Sequence, residues 1–197
     1  SRPTSGPTRT WPPSANYGVR HDHRQPPPYV RMKGSTTVPR SLEAIVEDLL
    51  GHDGRVVLGT GCFDILHVGH VYFLEQASAQ GDVLVIGVNS DDSVRRLKGT
   101  SRPIVGEFDR ATMVGAVRYV DHVFVYDATE ADEQIRALAP DVYVTGAESA
   151  DAYPTELNSA REVGAAVHVI GRISERSTTR VVDDVLRLSR DEAADVS

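Results

Sequence analysis

Two histidines one helical turn apart, His67 and His70, close the stretch GTGCFDILHVGH that runs from Gly59 to His70. At a spacing of i and i+3 their imidazoles share one helix face. Such a pair can ligate a metal or give hydrogen bonds to anionic oxygens. The residues in front favour the second use. Thr60, Gly61, Cys62 and Phe63 can turn backbone N–H groups outward, and Gly61 allows close approach. A helix starting at Val68 aims its N-terminus at the same spot, an anion site by geometry and dipole. Asp64 is suited to brace this loop or to orient a histidine. The glycine pattern is neither a dinucleotide fingerprint nor a Walker loop. A transition-metal site needs a third ligand, and no further His or Cys lies in a familiar spacing.

Two other places carry chemistry. Ser177, Thr178 and Thr179, in GRISERSTT, precede a helical pattern. They read either as an ordinary N-cap or as a second phosphate contact. Lys98, in RRLKGTSRP, is the one lysine outside the first forty residues. It is either a surface lysine or a mobile ammonium that reaches a triphosphate from a loop. His21, His23, His52, His122 and His168 receive no role.

The elements that must position these groups follow from periodicity. Ser41 caps a short helix over LEAIVEDLL. RVVLGT, DVLVIGVN, HVFVYD, DVYVTG and AVHVIG are short apolar runs of the kind buried on both faces of a parallel sheet. Helical patterns separate them: 68–80, DDSVRRL behind Ser90 or Asp91, 107–119, EADEQIRALA ended by Pro140, PTELNSAREVG, and 177–191. Strand–helix alternation predicts an α/β fold, a doubly wound five-stranded parallel sheet, with ligands at the carboxyl ends of the strands. GTGCFDILHVGH, VTGAES with Gly146, and GRISERSTT all follow strands, so they converge on one edge.

Composition narrows the class. Of 197 residues 40% are hydrophobic, enough for one domain with a core. Eight of eleven prolines fall within residues 1–40, which read as a flexible Pro/Arg-rich tail, with the domain over 41–191 and a disordered end at 192–197. The net charge is −7, and the tail carries seven basic residues against Asp22, leaving the body at −13. An acidic body is a poor general nucleic-acid binder. No apolar run is long enough to span a membrane. One cysteine, Cys62, allows no internal disulfide, so a reduced, cytoplasmic setting is expected.

GCFDILHVGH resembles the Gly-x-Phe-Asp-x-x-His-x-Gly-His signature of the cytidylyltransferase-like nucleotidyltransferases, and RISERSTT resembles their distal signature ending in Ser-Thr-Thr. The stretch from VNSDDSVRRLKG to RYVDHVFVYD is similar to the adenylyltransferase domain of the ADP-heptose pathway. The resemblance, from about Arg55 to Leu188, implies a Rossmann-like fold. It also implies transfer of a nucleotidyl group, AMP favoured, from an NTP to a phosphorylated sugar or polyol, with release of pyrophosphate. By that pattern His67 and His70 bind the triphosphate, Lys98 bridges donor and acceptor phosphates, and Ser177 to Thr179 hold the β- and γ-phosphates. Arg118 of RYVD matches a position near the nucleotide. Because no lysine follows the fourth strand, Arg172 or Arg176 is expected to join Lys98 in holding the acceptor phosphate. Mg2+ is expected on the phosphates rather than in a protein cage, and a homodimer is expected.

This chain departs from the heptose pattern after the fourth strand, where Thr145-Gly146-Ala147-Glu148 replaces Lys-Gly-Gly-Asp, and Glu175-Arg176 stands in the distal motif. Those departures leave room for a different acceptor. The competing readings are a CTP-dependent enzyme acting on a phospho-alcohol and a non-catalytic nucleotide-binding regulator. A class I aminoacyl-tRNA synthetase fragment shares the histidine motif, but the acidic body lacks its RNA-binding surface.

Overall fold

The computed structural model describes residues 39–146, 153–171, 181–182, 184–185 and 187–188. The chain forms α1 (Leu42–Asp48), β1 (Val56–Gly61), α2 (Val68–Ser78), β2 (Val83–Asn89), α3 (Asp91–Lys98), α4 (Glu107–Gly115), β3 (His122–Tyr126), α5 (Asp132–Leu138), β4 (Val142–Gly146), α6 (Pro154–Glu162) and β5 (Ala166–Ile170). The strands pair in parallel in the order β3-β2-β1-β4-β5. The chain moves outward from β1 to β3, then returns to the other side of β1. That reversal opens a crevice at the carboxyl ends of β1 and β4, and the loop that begins at Gly61 leaves β1 there.

Alternation along the strands sorts two cores. Val56, Leu58, Val85, Phe124 and Tyr143 pack with Ile45 of α1, Ile135 and Leu138 of α5 and Ala160 of α6. Val57, Leu84, Ile86, Val88 and Val144 pack with Leu74 and Ala77 of α2 and Ala111 and Val114 of α4. Burying such side chains stabilises by about 1.5–3 kcal/mol each. The expected fully buried strands hold except at the edge, where β5 keeps only Ile170 buried.

The amino-terminal end of the sheet, opposite the crevice, is pinned by aspartates that stand directly before strands. Asp82 accepts from the Arg55 N–H (2.7 Å), Asp121 from Leu84 (2.8 Å) and Asp141 from Val56 (2.7 Å). Part of the acidity of the body is therefore structural.

Several expected boundaries move. Ser41 and Ser90 are N-caps, their hydroxyls accepting from Ala44 and Ser93. The helix expected over 107–119 stops at Gly115. Ala139, in a left-handed conformation with φ 43°, ends α5 one residue before Pro140. Arg40, assigned to the tail by composition, belongs to the body: its N–H donates to the Val123 carbonyl at 2.9 Å and its guanidinium pairs with Asp48. The rest of that tail, residues 1–38, and the C-terminal 192–197 lie outside the described residues. Among the described residues no helix is long and apolar enough to cross a membrane.

Candidate active site

His67 is the N-cap of α2. Its Nδ1 accepts from the Gly69 N–H at 3.1 Å, while the Nδ1 of His70 reaches back to accept from the His67 N–H at 3.3 Å. The pair forms a reciprocal capping box. With Nδ1 accepting a backbone N–H, a neutral ring here carries its proton on Nε2. The rings stack with centroids 3.9 Å apart and 25° between planes, an arrangement that suits two neutral rings.

The imidazoles accept from the Gly69 N–H of the first turn of α2 and from the N-cap N–H of His67. A metal would need Nε2 deprotonated and a third ligand. The nearest acid in sequence, Asp64, is turned elsewhere.

Asp64 is buried and braces the loop rather than orienting a histidine. Its carboxylate accepts from the N–H groups of Ile104 (2.8 Å) and Val105 (3.1 Å) and pairs with Arg102 at 2.9 Å. Burial alone would raise its pKa, but the two backbone donors and the guanidinium outweigh burial and hold it below the ordinary carboxylate value. A depressed folded pKa means stability present above the unfolded pKa and lost as pH falls through the folded one. Asp64→Asn is therefore expected to melt lower than wild type near neutrality, with the gap closing in acid. A gap that stays constant across that range in thermal melts would contradict this brace.

Phe63 follows with φ 46°, a left-handed conformation uncommon for a bulky residue. Its ring is buried against His70 and Phe73, at 5.3 and 6.3 Å. Packing holds the strained turn, and the turn carries the chain from β1 to the histidines. Gly61 is fitted to it: a Cβ there would stand 3.1 Å from the Phe63 ring.

Lys98 is the last residue of α3, not a loop residue. Gly99, with φ 91°, ends that helix. The exposed ammonium is near enough for its charge to be felt at Cys62. Burial pushes the Cys62 thiol up, and Lys98 and Arg110 draw it part-way back. The charge at the end of α3 thus reaches the loop that leads to the histidines.

Arg110 is the functional residue that motif reading missed. It is fully buried, with 0% exposure, and joins three segments of this corner. Its guanidinium donates to the carbonyls of Cys62 (2.5 Å) and Val105 (2.8 Å) and to Asp91 (2.8 Å). Its signal was a charged residue on the apolar stripe of α4, ahead of Ala111 and Val114 on the same face.

Other expected members stand apart. Arg118 lies beyond α4, at the amino-terminal edge of the sheet, where it bonds the Tyr119 hydroxyl at 2.9 Å. Tyr119 in turn donates to Glu75. Within one chain the fold does not bring Arg118 to His67, because the segment leading into β3 lies at the end opposite the crevice. Thr145 is buried at the end of β4, and Gly146 faces open space. Arg172, Arg176 and Ser177 to Thr179 lie outside the described residues, as does Glu148.

The family model described as cytidylyltransferase-like matches residues 58–190, a span that includes the whole corner and the distal motif. The chain belongs to the cytidylyltransferase-like family. Its relatives agree. A protein of Helicobacter pylori (strain HPAG1) named "Bifunctional protein HldE" is 38% identical over 150 residues, covering 76% of this chain and 32% of that protein. The protein of the same name from Koribacter versatilis (strain Ellin345) is 43% identical over 132 residues, 67% of this chain and 27% of its own length. The chain thus spans less than a third of these curated relatives. The fold is shared with a pantoate-beta-alanine ligase of Francisella tularensis, solved with an ATP analogue and beta-alanine. That structure is 11% identical, with a TM-score of 0.51, over 70% of this chain and 65% of the other.

Proposed function

We propose that this family member transfers AMP from ATP to a phosphorylated sugar or polyol and releases pyrophosphate, in the manner of a heptose 1-phosphate adenylyltransferase. The supporting observation is the imidazole pair of His67 and His70 at the start of α2 beside the crevice, with the charge of Lys98 felt at Cys62 in the loop before them. The relatives' similarity favours the adenylyl group.

An acceptor phosphate oxygen attacks the α-phosphorus in line, forming the new P–O bond as the bond to pyrophosphate breaks. Phosphate is already nucleophilic at neutral pH, so no protein nucleophile or general base is called for. The residues position the reactants and stabilise charge on the α-phosphate and leaving group. Neutral Nε2–H donors serve this role without a proton transfer. Lys98 supplies the positive charge between donor and acceptor phosphates. Ser177, Thr178 and Thr179 are proposed to hold the distal phosphates, and Arg172 or Arg176 the acceptor phosphate.

Magnesium is proposed to arrive on the nucleotide and offset charge on the leaving pyrophosphate. The acids at this corner fit that reading, since Asp64 and Asp91 are committed to Arg102 and Arg110. Among the described residues no group of three His, Cys, Asp or Glu side chains could cage a metal ion.

The test is a panel of the four NTPs against sugar 1-phosphates and phospho-alcohols, read as pyrophosphate release. ATP with a sugar or polyol phosphate is the expected best pair. CTP with a phospho-alcohol as the best pair would establish the cytidylyl reading. Nucleotide binding without release under any pair would establish a regulator.

A further inference from the structure

Thr60, Asn89, Tyr126 and Tyr143 lie on one face of the sheet, three of them at the carboxyl ends of their strands. The Thr60 hydroxyl is 2.9 Å from the Tyr143 hydroxyl. Tyr143 donates to Glu156 Oε2 at 2.6 Å, and Glu156 Oε1 accepts from the Ala131 N–H at 2.8 Å. The Glu156 residue is only 5% exposed, and Tyr143 is fully buried. A chain of hydrogen bonds therefore runs from a buried carboxyl to the last residue before the phosphate loop.

The direction of that chain depends on one proton. An ionised carboxylate only accepts. Tyr143 must then spend its single proton on Glu156, and Thr60 must spend its own on Tyr143. Only lone pairs of the Thr60 hydroxyl remain for the crevice. When Glu156 takes up a proton it can donate to the Tyr143 oxygen. Tyr143 then donates to Thr60, and the Thr60 proton is released toward the crevice.

Resting on the nucleotidyltransferase reading above, we propose that Glu156 is a positioning residue that, through Tyr143, sets whether the Thr60 hydroxyl donates to or accepts from a ligand phosphate. Phosphate oxygens accept, so the protonated network grips the nucleotide and the ionised network loosens it.

The surroundings favour proton retention. Burial raises the Glu156 carboxyl above its ordinary value. The bonds from Tyr143 and Ala131 oppose that rise, and the negative charges of Glu130 and Asp132 beside α5 add to it. Tyr126 of β3 and Tyr153 ahead of α6 also feel its charge, and burial raises both phenols, so they stay neutral.

The experiment measures the ATP Kd by calorimetry and the KM for ATP by pyrophosphate release, from the carboxylate range to above neutrality. Wild type, Glu156→Gln, Tyr143→Phe and Thr60→Val are compared. Ionisation of the nucleotide itself is common to all four. Wild type is expected to weaken with rising pH by about five- to tenfold more than the variants, the size of one hydrogen bond. Gln accepts from Ala131 and donates to Tyr143, so Glu156→Gln should hold the tight, acid-limb KM at every pH with kcat little changed. Thr60→Val should hold the weak one, and Tyr143→Phe should lose the extra pH dependence. Glu156→Gln and Tyr143→Phe both keeping the wild-type pH dependence would overturn the inference. If wild type binds no NTP, the proposed function fails instead. The network is then read from the infrared band of the protonated Glu156 carboxyl, which must titrate differently in Tyr143→Phe; an unshifted titration overturns it.

Discussion

His67→Asn and Lys98→Ala are each expected to lower turnover by about 10²–10³-fold, the effect of removing one preorganised donor to a developing charge. Melting temperatures should move little. Asn is among the best N-caps, so it can keep the Gly69 N–H satisfied while removing the Nε2–H donor. Alanine at His67 would mix two effects, since losing a cap costs about 0.5–2 kcal/mol of stability. Lys98 is exposed at the end of α3, and its loss uncovers no core. Steady-state kinetics beside thermal melts separate the outcomes. Near-normal turnover of Lys98→Ala would remove the lysine from the mechanism. A His67→Asn protein that is both inactive and poorly folded would show that the ring itself, through its stack on His70, holds the loop.

Arg110→Met carries the largest expected loss of stability. Met has a similar reach but no donors, so the carbonyls of Cys62 and Val105 lose buried partners and Asp91 loses its cation. Breaking a buried ion pair from one side costs about 3–5 kcal/mol. The lower end is expected, because the Asp91 side chain is 28% exposed and can turn to water. Chemical denaturation measures this directly. The variant should also bind nucleotide weakly even where it is folded, because Arg110 joins the phosphate loop to the end of the segment that follows Lys98. A loss below about 1 kcal/mol, the scale of an exposed pair, would mean that the corner is held by Asp64 alone.

The alternation of apolar strands with helical segments was enough to predict a doubly wound parallel sheet, because each run is short, apolar and bounded by a capping or turn residue. Ser41 and Ser90 were legible as caps for the same local reason: a hydroxyl accepts from a backbone N–H three residues on. The spacing of His67 and His70 was legible too, since a helix start places i and i+3 together whatever surrounds it. Glu156 and Arg110 were not singled out. Each is one charged residue on the apolar face of a short helix, a pattern that local sequence reads as an imperfect stripe.

What the sequence by itself determined were the features set by neighbours along the chain: the strands, the caps, the histidine pair and the loop that leads to it. The tertiary structure decided which groups meet across long separations. It placed Arg110 between Cys62 and Asp91, and Glu156 behind Thr60 through Tyr143. It also placed Arg118 at the far edge of the sheet, away from the histidines. The physical reason is that a parallel sheet brings successive strand ends to one edge by crossovers. Partners there are set by strand order and register, while the hydrogen-bonding needs of buried polar groups select among them.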